Sequence, residues 1–297
     1  VRLALDAQMF FATSSVYELP DIAAGLGYAW IELSPKDDFI PFFRHPRIDD
    51  AGVRRLKKVA ADAGVGFASI IPLNRWSGPD EGQRQAAVRS WKRSIQIAVD
   101  LGVDVLNSEF NGRPEDPETA EAMFLRSMDE LLPIVEREGI RLVLEPHPDD
   151  FIEDGLDAVG MIRGLNHPSV SFLYCTPHAF HQRHSPAAII EAAGDLVSYV
   201  HLADAFDHTA SHGLRYITNP PGNAVRVHQH MEVGRGEVDY DAVFAALAAV
   251  GFDGVISSCV FGFEEDARAI SERQRDAAVS LVTQHFGADQ AAALTRT

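Results

Sequence analysis

The chain has 297 residues, 46% of them hydrophobic, and a formal net charge of −17 from 43 acidic against 26 basic side chains. That length suits one large core or two small ones, and the acidic surplus, with no basic stripe to reverse it, excludes nucleic acid as an expected partner. Residues 1–12 lack the basic start and cleavage site of a signal peptide, and no apolar run reaches about 18 residues, so a cytoplasmic protein without a membrane partner is expected. The two cysteines, Cys175 and Cys259, stand far apart without a CxxC spacing, so no disulfide framework is expected.

Short β-branched runs alternate with longer amphipathic stretches from end to end, the pattern of β/α units around a parallel sheet. Strands are predicted at 3–9, 29–34, 66–73, 103–110, 141–147, 170–175, 197–203 and 254–261. Helices are predicted at 16–25, 49–63, 80–101, 117–138, 156–165, 186–193, 240–250 and 263–286. Gly25, Gly64, Gly102, Gly139 and Gly251 supply the glycine stops expected after helices. A doubly wound open sheet is the alternative, but no GxGxxG follows the first strand and eight regular units suit a closed (β/α)8 barrel. The expected organisation is therefore one TIM-barrel domain over 1–297.

Two segments break the rhythm. Residues 34–47 are long and aromatic, and 205–230 form an insertion after the seventh strand that carries Pro220, Pro221 and several histidines. Loops of this length are usually lids or binding loops, and both follow strand ends on the catalytic side of a barrel. The tail 287–297 is Ala-rich and is expected to fray.

Side chains two apart at a strand tip point together into the mouth of a parallel barrel. Strand five ends LVLEPHP, which puts Glu145 and His147 on one face. A carboxylate buried at the end of an apolar strand needs a cation or hydrogen-bond donors, so Glu145 is either a metal ligand or a structural carboxylate on loop amides. Strand six carries Cys175 with His178 three residues on, and strand seven carries His201 with Asp204 just beyond. A lone histidine is usually structural, but titratable groups on three consecutive tips favour a site. His228 and His230 have the spacing of a pair facing one way and either complete that site or belong to a solvated hairpin. His181, His184, His208 and His212 lie in predicted loops. Glu32, Asn107 and Glu109 are further tip residues, and Trp76 either offers a flat face to a sugar ring or caps the barrel.

In order, the segments IELSP, FIPFFRHPR, NRWSGPDE, NSEFNGRPE, LEPHPDDF, YCTPHAFH, VHLADAFDH, LRYITNPPG and VHQH resemble the xylose-isomerase-like barrels. The branch is that of sugar phosphate isomerases/epimerases and inositol-catabolism proteins. The resemblance implies one divalent ion held by a glutamate after strand five, an aspartate after strand six, a histidine after strand seven and a glutamate after strand eight. Glu145 and His201 match the first and third of these. Cys175 stands at the aspartate position, and Ser258 or Cys259 at the last.

Three outcomes stay open. Histidines replace the missing carboxylates, giving Glu145, His178, His201 and His230 around manganese first, or cobalt, iron or zinc. Alternatively the cysteines hold a softer metal, or the site is metal-free. Without a carboxylate on strand eight, a one-base reaction is easier to build than symmetric epimerisation. The expected chemistry is α-proton removal from a keto sugar, inosose or 3-oxo-glycoside, with His147 as the first candidate base and Glu109 or Glu32 the second. Return of the proton gives an isomerase; loss of a β-substituent gives a lyase.

The lyase branch resembles C-glycoside deglycosidase catalytic subunits, which work with a small second chain. The expected partners are thus a small sugar or polyol together with a homo-oligomer or a small subunit. A metal-free binding barrel and an abasic-site nuclease are the competing classes. The acidic charge, and Ser69, Ile70 and Asn107 where a nuclease would place histidines, oppose the second.

Overall fold

The computed structural model describes residues 1–182, 184–206, 229–292 and 294. Eight short runs are buried on both faces, which is why they are apolar throughout rather than alternating, and they pair in parallel as a closed barrel. The strands are β1 Arg2–Asp6, β2 Trp30–Leu33, β3 Gly66–Ile70, β4 Val105–Glu109, β5 Arg141–Glu145, β6 Val170–Cys175, β7 Val197–Leu202 and β8 Val255–Ser258. Strand β8 returns to β1 with Leu3 opposite Ile256, closing the sheet on itself so that no edge is left.

Helices α1 Leu19–Gly25, α2 Asp50–Ala63, α3 Glu81–Leu101, α4 Pro117–Arg137, α5 Gly155–Leu165, α6 Thr176–Gln182, α7 Pro186–Ala193, α8 Tyr240–Ala249, α9 Ala267–Phe286 and α10 Ala288–Ala292 connect or follow the strands. The capping chemistry is local. The Asp49 carboxylate accepts from the Gly52 amide at 2.7 Å and the Asp80 carboxylate from the Gln83 amide at 2.8 Å. Helix α2 stops where Gly64 turns to φ 64°, a conformation open to a residue without Cβ.

Several predicted boundaries move. Strand β3 ends at Ile70, just before Pro72, and β1 gives way after Asp6 to a 3-10 turn at Gln8–Phe10. Gly25 is the last residue of α1, and the positive φ of 81° falls two residues later on Gly27. Within the 287–297 tail, Ala288–Ala292 form α10 and Leu294 is buried, while 293 and 295–297 lie outside the described residues. Helix α6 escapes the pattern reading altogether: its seven residues start directly after β6 and are too few to show a helical period.

The core between barrel and helices contains an aromatic stack that corrects the expectation for Trp76. That side chain is fully buried, lies on Trp91 with ring centroids 4.2 Å apart, meets Phe124 edge-on at 5.9 Å and donates its indole N–H to the Phe110 carbonyl at 2.8 Å. With the ring wholly buried and its N–H engaged by the core, it has no surface to offer a ligand. Phe124→Ala removes the ring at the centre of this cluster and should lower unfolding stability by about 3–5 kcal/mol, read from urea denaturation midpoints.

Candidate active site

The interior of the barrel changes character along its axis. Ala4, Val105, Val143, Leu173, Tyr199 and Val255 fill the lower layer as a buried apolar plug. Two residues further along the same strands stand Asp6, Asn107, Glu145, Cys175, His201 and Ser257, which the two-residue period directs to the same side. Glu32 follows Trp30 on β2 in the same way. Above this polar layer opens a cavity of about 630 Å³ whose lining includes Asp6, Glu109, Glu145, His147, His178, His201, His230 and Cys259.

His201 is the hub. Its Nδ1 lies 3.2 Å from Glu145 Oε2 and its Nε2 lies 3.1 Å from Glu32 Oε2, all three side chains being almost wholly buried. Burial opposes a charged imidazole, but the two carboxylates outweigh it and hold His201 well above the usual histidine range. Burial likewise works against the carboxylates, and the positive His201 reverses it for both, leaving Glu32 lowered and Glu145 well below the usual range. Glu32 Oε1 also accepts from Ser69 Oγ at 3.0 Å and from Asn107 Nδ2 at 2.5 Å. It has no exposed surface and is not part of the cavity lining.

The second group lies beside the hub. His178 Nδ1 is 2.9 Å from Glu145 Oε1, His230 Nδ1 is 2.8 Å from the Cys259 carbonyl, and the two Nε2 atoms approach to 3.2 Å. Burial pushes His178 down to about 4 and His230 well below its ordinary value, so both rings are neutral at pH 7. An ionised Glu145 and a carbonyl both require an N–H facing them, which assigns the proton of each ring to Nδ1. The two Nε2 lone pairs then point at one another, an arrangement that a cation or a shared proton must bridge. Cys175 Sγ stands 3.9 Å from His230 Nε2.

One donor atom from each of Cys175, His178 and His230 falls within a 4.8 Å span, as does one from each of Glu145, Cys175 and His201. The two neutral imidazoles and the thiol of the first trio form a donor set that fits a divalent transition metal, with Glu145 behind His178 at its Nδ1. Burial raises the Cys175 thiol, so an ion binding there would displace its proton. His201, with both nitrogens turned to carboxylates, has no lone pair to give while it stays charged.

The third group faces the cavity from β4 and β5. His147 Nε2 is 3.5 Å from Glu109 Oε1, and His147 Nδ1 is 2.8 Å from the Pro148 carbonyl. Burial raises Glu109; it opposes the charge of His147, which Glu109 and Glu145 nevertheless lift above the ordinary value. The loops behind them are knitted by Asp150, whose carboxylate accepts from the amides of Asn111 at 2.6 Å, Gly112 at 2.7 Å and Phe151 at 2.7 Å.

His230 reaches the mouth because Asp204 pins the chain where it returns from the insertion. Asp204 and Met231 exchange backbone hydrogen bonds in an antiparallel bridge. The buried Asp204 carboxylate accepts from the amides of Ala205, Gly234, Gly236 and Val238. A Cβ on Gly236 would sit 2.3 Å from the Ala205 carbonyl oxygen, which explains a glycine at that turn.

The structure thus gathers Glu145, His178, His201 and His230 in one cluster, with His147 and Glu109 beside it and Glu32 beneath. His184 pairs with Asp154 at 2.6 Å, away from the cavity lining. His208, His212 and His228, like most of the 205–230 insertion, lie outside the described residues. Asp6 is a further strand-tip acid, and its signal in the sequence is that LALD ends as LVLE does, in an acid closing an apolar run. The flat apolar surfaces expected of Trp76 come instead from Phe42 and Phe43 of the 34–47 loop, both about half exposed and lining the cavity.

Such a molecule is a closed parallel (β/α)8 barrel with carboxylates, imidazoles and a thiol gathered at the carboxyl ends of its strands, where barrels of this kind carry their sites. The chain belongs to the xylose isomerase-like TIM barrel family, which it matches over residues 20–279. No curated protein matches it in sequence. Among solved structures it is similar to the IolI protein with a bound zinc atom, at 17% identity and TM-score 0.76, covering 97% of this chain and 100% of that one. It is also similar to D-psicose 3-epimerase from Clostridium cellulolyticum H10 with D-tagatose, at 15% identity and TM-score 0.73 over 97% of this chain and 100% of that one. D-allulose 3-epimerase from Methylomonas sp. in complex with D-allulose stands at 18% identity and TM-score 0.71, over 96% and 97% of the two chains. Identities this low establish the shared fold. Among the described residues no helix is long and apolar enough to cross a membrane.

Asp204→Ala leaves the amides it serves without their acceptor and should lower stability by at least about 2 kcal/mol in chemical denaturation, where Asp204→Asn, retaining one oxygen, loses less.

Proposed function

We propose that the protein is a divalent-metal-dependent isomerase or lyase acting on a keto sugar or cyclic polyol, of inosose or 3-oxo-glycoside type, by removing the proton next to a carbonyl. The observation that carries this reading is the juxtaposition, in one cavity, of the His147–Glu109 pair at 3.5 Å with Glu145, His178 and His230, beside which the buried Cys175 completes a donor trio with the two histidines. The sugar epimerases and the zinc-bearing IolI protein that share the fold support it by analogy.

His147 is the base. The Pro148 carbonyl takes its Nδ1–H, so Nε2, beside Glu109 in the cavity wall, is the nitrogen that would accept the α-proton. Glu109, at 3.5 Å from that nitrogen, stabilises the imidazolium that results and offers a route for the proton to leave. Cys175, His178 and His230 would hold the ion, with Glu145 either completing the set or fixing His178 from behind as the carboxylate partner of a ligating imidazole. A divalent ion held there supplies positive charge beside the carbonyl oxygen, where negative charge builds as the proton leaves. A thiol and two imidazoles suit zinc or cobalt better than manganese, the ion favoured from sequence. Glu32 serves by holding His201 rather than as a base, since its oxygens are engaged below the cavity.

The purified protein should carry about one equivalent of zinc, cobalt or manganese by elemental analysis and catalyse α-proton exchange in D2O, followed by NMR. The probes are ketohexoses, an inosose and methyl 3-oxo-glucoside. His147→Ala should slow exchange by about 10²-fold or more while retaining the metal, and Glu145→Gln should lose both. A protein that binds no metal and exchanges no proton after reconstitution returns the barrel to a binding role.

A further inference from the structure

Asp6 is a buried strand-tip carboxylate of the cavity that the mechanism above leaves idle. It sits at the tip of β1, is 2% exposed and lines the same cavity as His147. In a closed barrel of eight strands in sequence order, β1 and β5 are diametrically opposed. Asp6 therefore looks across the mouth at the base that follows β5.

Its surroundings differ from those of the other buried acids. Glu32 and Glu145 are each bound to His201, and Glu109 faces His147. Asp6 has one backbone donor, the Gln8 amide at 3.1 Å on Oδ1, and the Cys259 thiol at 3.4 Å on Oδ2. Among the described residues no lysine or arginine pairs with it. Burial, and then the negative Glu32, push its carboxyl up to about 7, against the Ser34 hydroxyl, the His201 charge and the Cys259 thiol. Burial also raises Cys259, which stays a thiol and a donor. Two acids and bases on opposite walls of one cavity are the arrangement from which acid and base roles are divided.

We propose that Asp6 is the general acid of the elimination branch of this chemistry, giving its proton to the leaving group on the wall opposite His147. The inference rests on the proton-abstraction reading above. His147 Nε2 takes the α-proton, and the C–H electron pair forms the new C=C bond as the bond to the β-substituent breaks. The pair released on the leaving oxygen takes the Asp6 proton, and both side chains return to their starting states by exchange with solvent. Cys259 is a positioning residue that holds Oδ2 and thereby leaves Oδ1 toward the Gln8 amide.

The test uses the metal-loaded full chain and two probes that differ in their need for an acid. Methyl 3-oxo-glucoside releases a poor leaving group that must be protonated, whereas 4-nitrophenyl 3-oxo-glucoside releases a phenolate that need not be. Asp6→Asn, of nearly the same shape, should slow release of methanol by about 10²-fold or more, change release of 4-nitrophenolate by less than about threefold, and leave α-proton exchange in D2O intact. For the wild type, methanol release should fall as the pH rises through about 7, and Cys259→Ala should move that limb. Unchanged metal content and thermal midpoint in Asp6→Asn separate this from misfolding; if they change, the wild-type contrast in pH limb between the two probes decides. Equal slowing of both probes, or none, overturns the assignment. Exchange without elimination in the wild type also overturns it while sparing the proton-abstraction reading, and absence of exchange overturns that reading itself.

Discussion

A charged imidazole in the middle of a barrel is the constraint on which the polar layer depends. His201 can keep its proton there because Glu32 and Glu145 take both of its N–H groups. Each carboxylate in turn is kept ionised by the imidazole, with Asn107 assisting at Glu32 and His178 at Glu145. Desolvating three charged groups is costly, and what offsets it is the pairing of one imidazolium with two carboxylates at 3.1 and 3.2 Å. Such a triad locks rotamers: β2, β5 and β7 are tied to one another above the apolar plug, so the side chains beside Glu145 inherit a fixed frame.

That frame has a direct effect on His178. Because Glu145 Oε2 is taken by His201, its Oε1 is left to fix the tautomer of His178, and with it the orientation of the lone pair toward His230. The hub is thus electrostatic and the neighbouring donor group is neutral. This division of charge between adjacent imidazoles, one raised and two lowered, follows from which of them face carboxylates on both sides.

Much of this was legible in the chain. The eight parallel strands follow from regular alternation, and Glu145, His147, Cys175 and His201 sit at tips because an apolar run ending in a polar residue is how a strand enters a mouth. What could not be read is where pattern is too short or contact too distant. Helix α6 has no room for a period, so the turn that aims His178 at Glu145 was invisible. Trp76 lies in a loop by sequence, and only the packing of α3 against α4 shows that its ring belongs to Trp91 and Phe124. Register and residue spacing carry no information about Glu32 meeting His201, 169 positions apart.

The bridge at Asp204 has a further consequence. The two ends of the insertion are brought together before its interior is reached, one by β7 and the other by the amides gathered on a single buried carboxylate. Closing a loop whose ends are already joined depends only weakly on its length, about 0.6 kcal/mol per doubling. His230, next to Met231 of the bridge, is thereby held in the mouth independently of the length of the segment that precedes it.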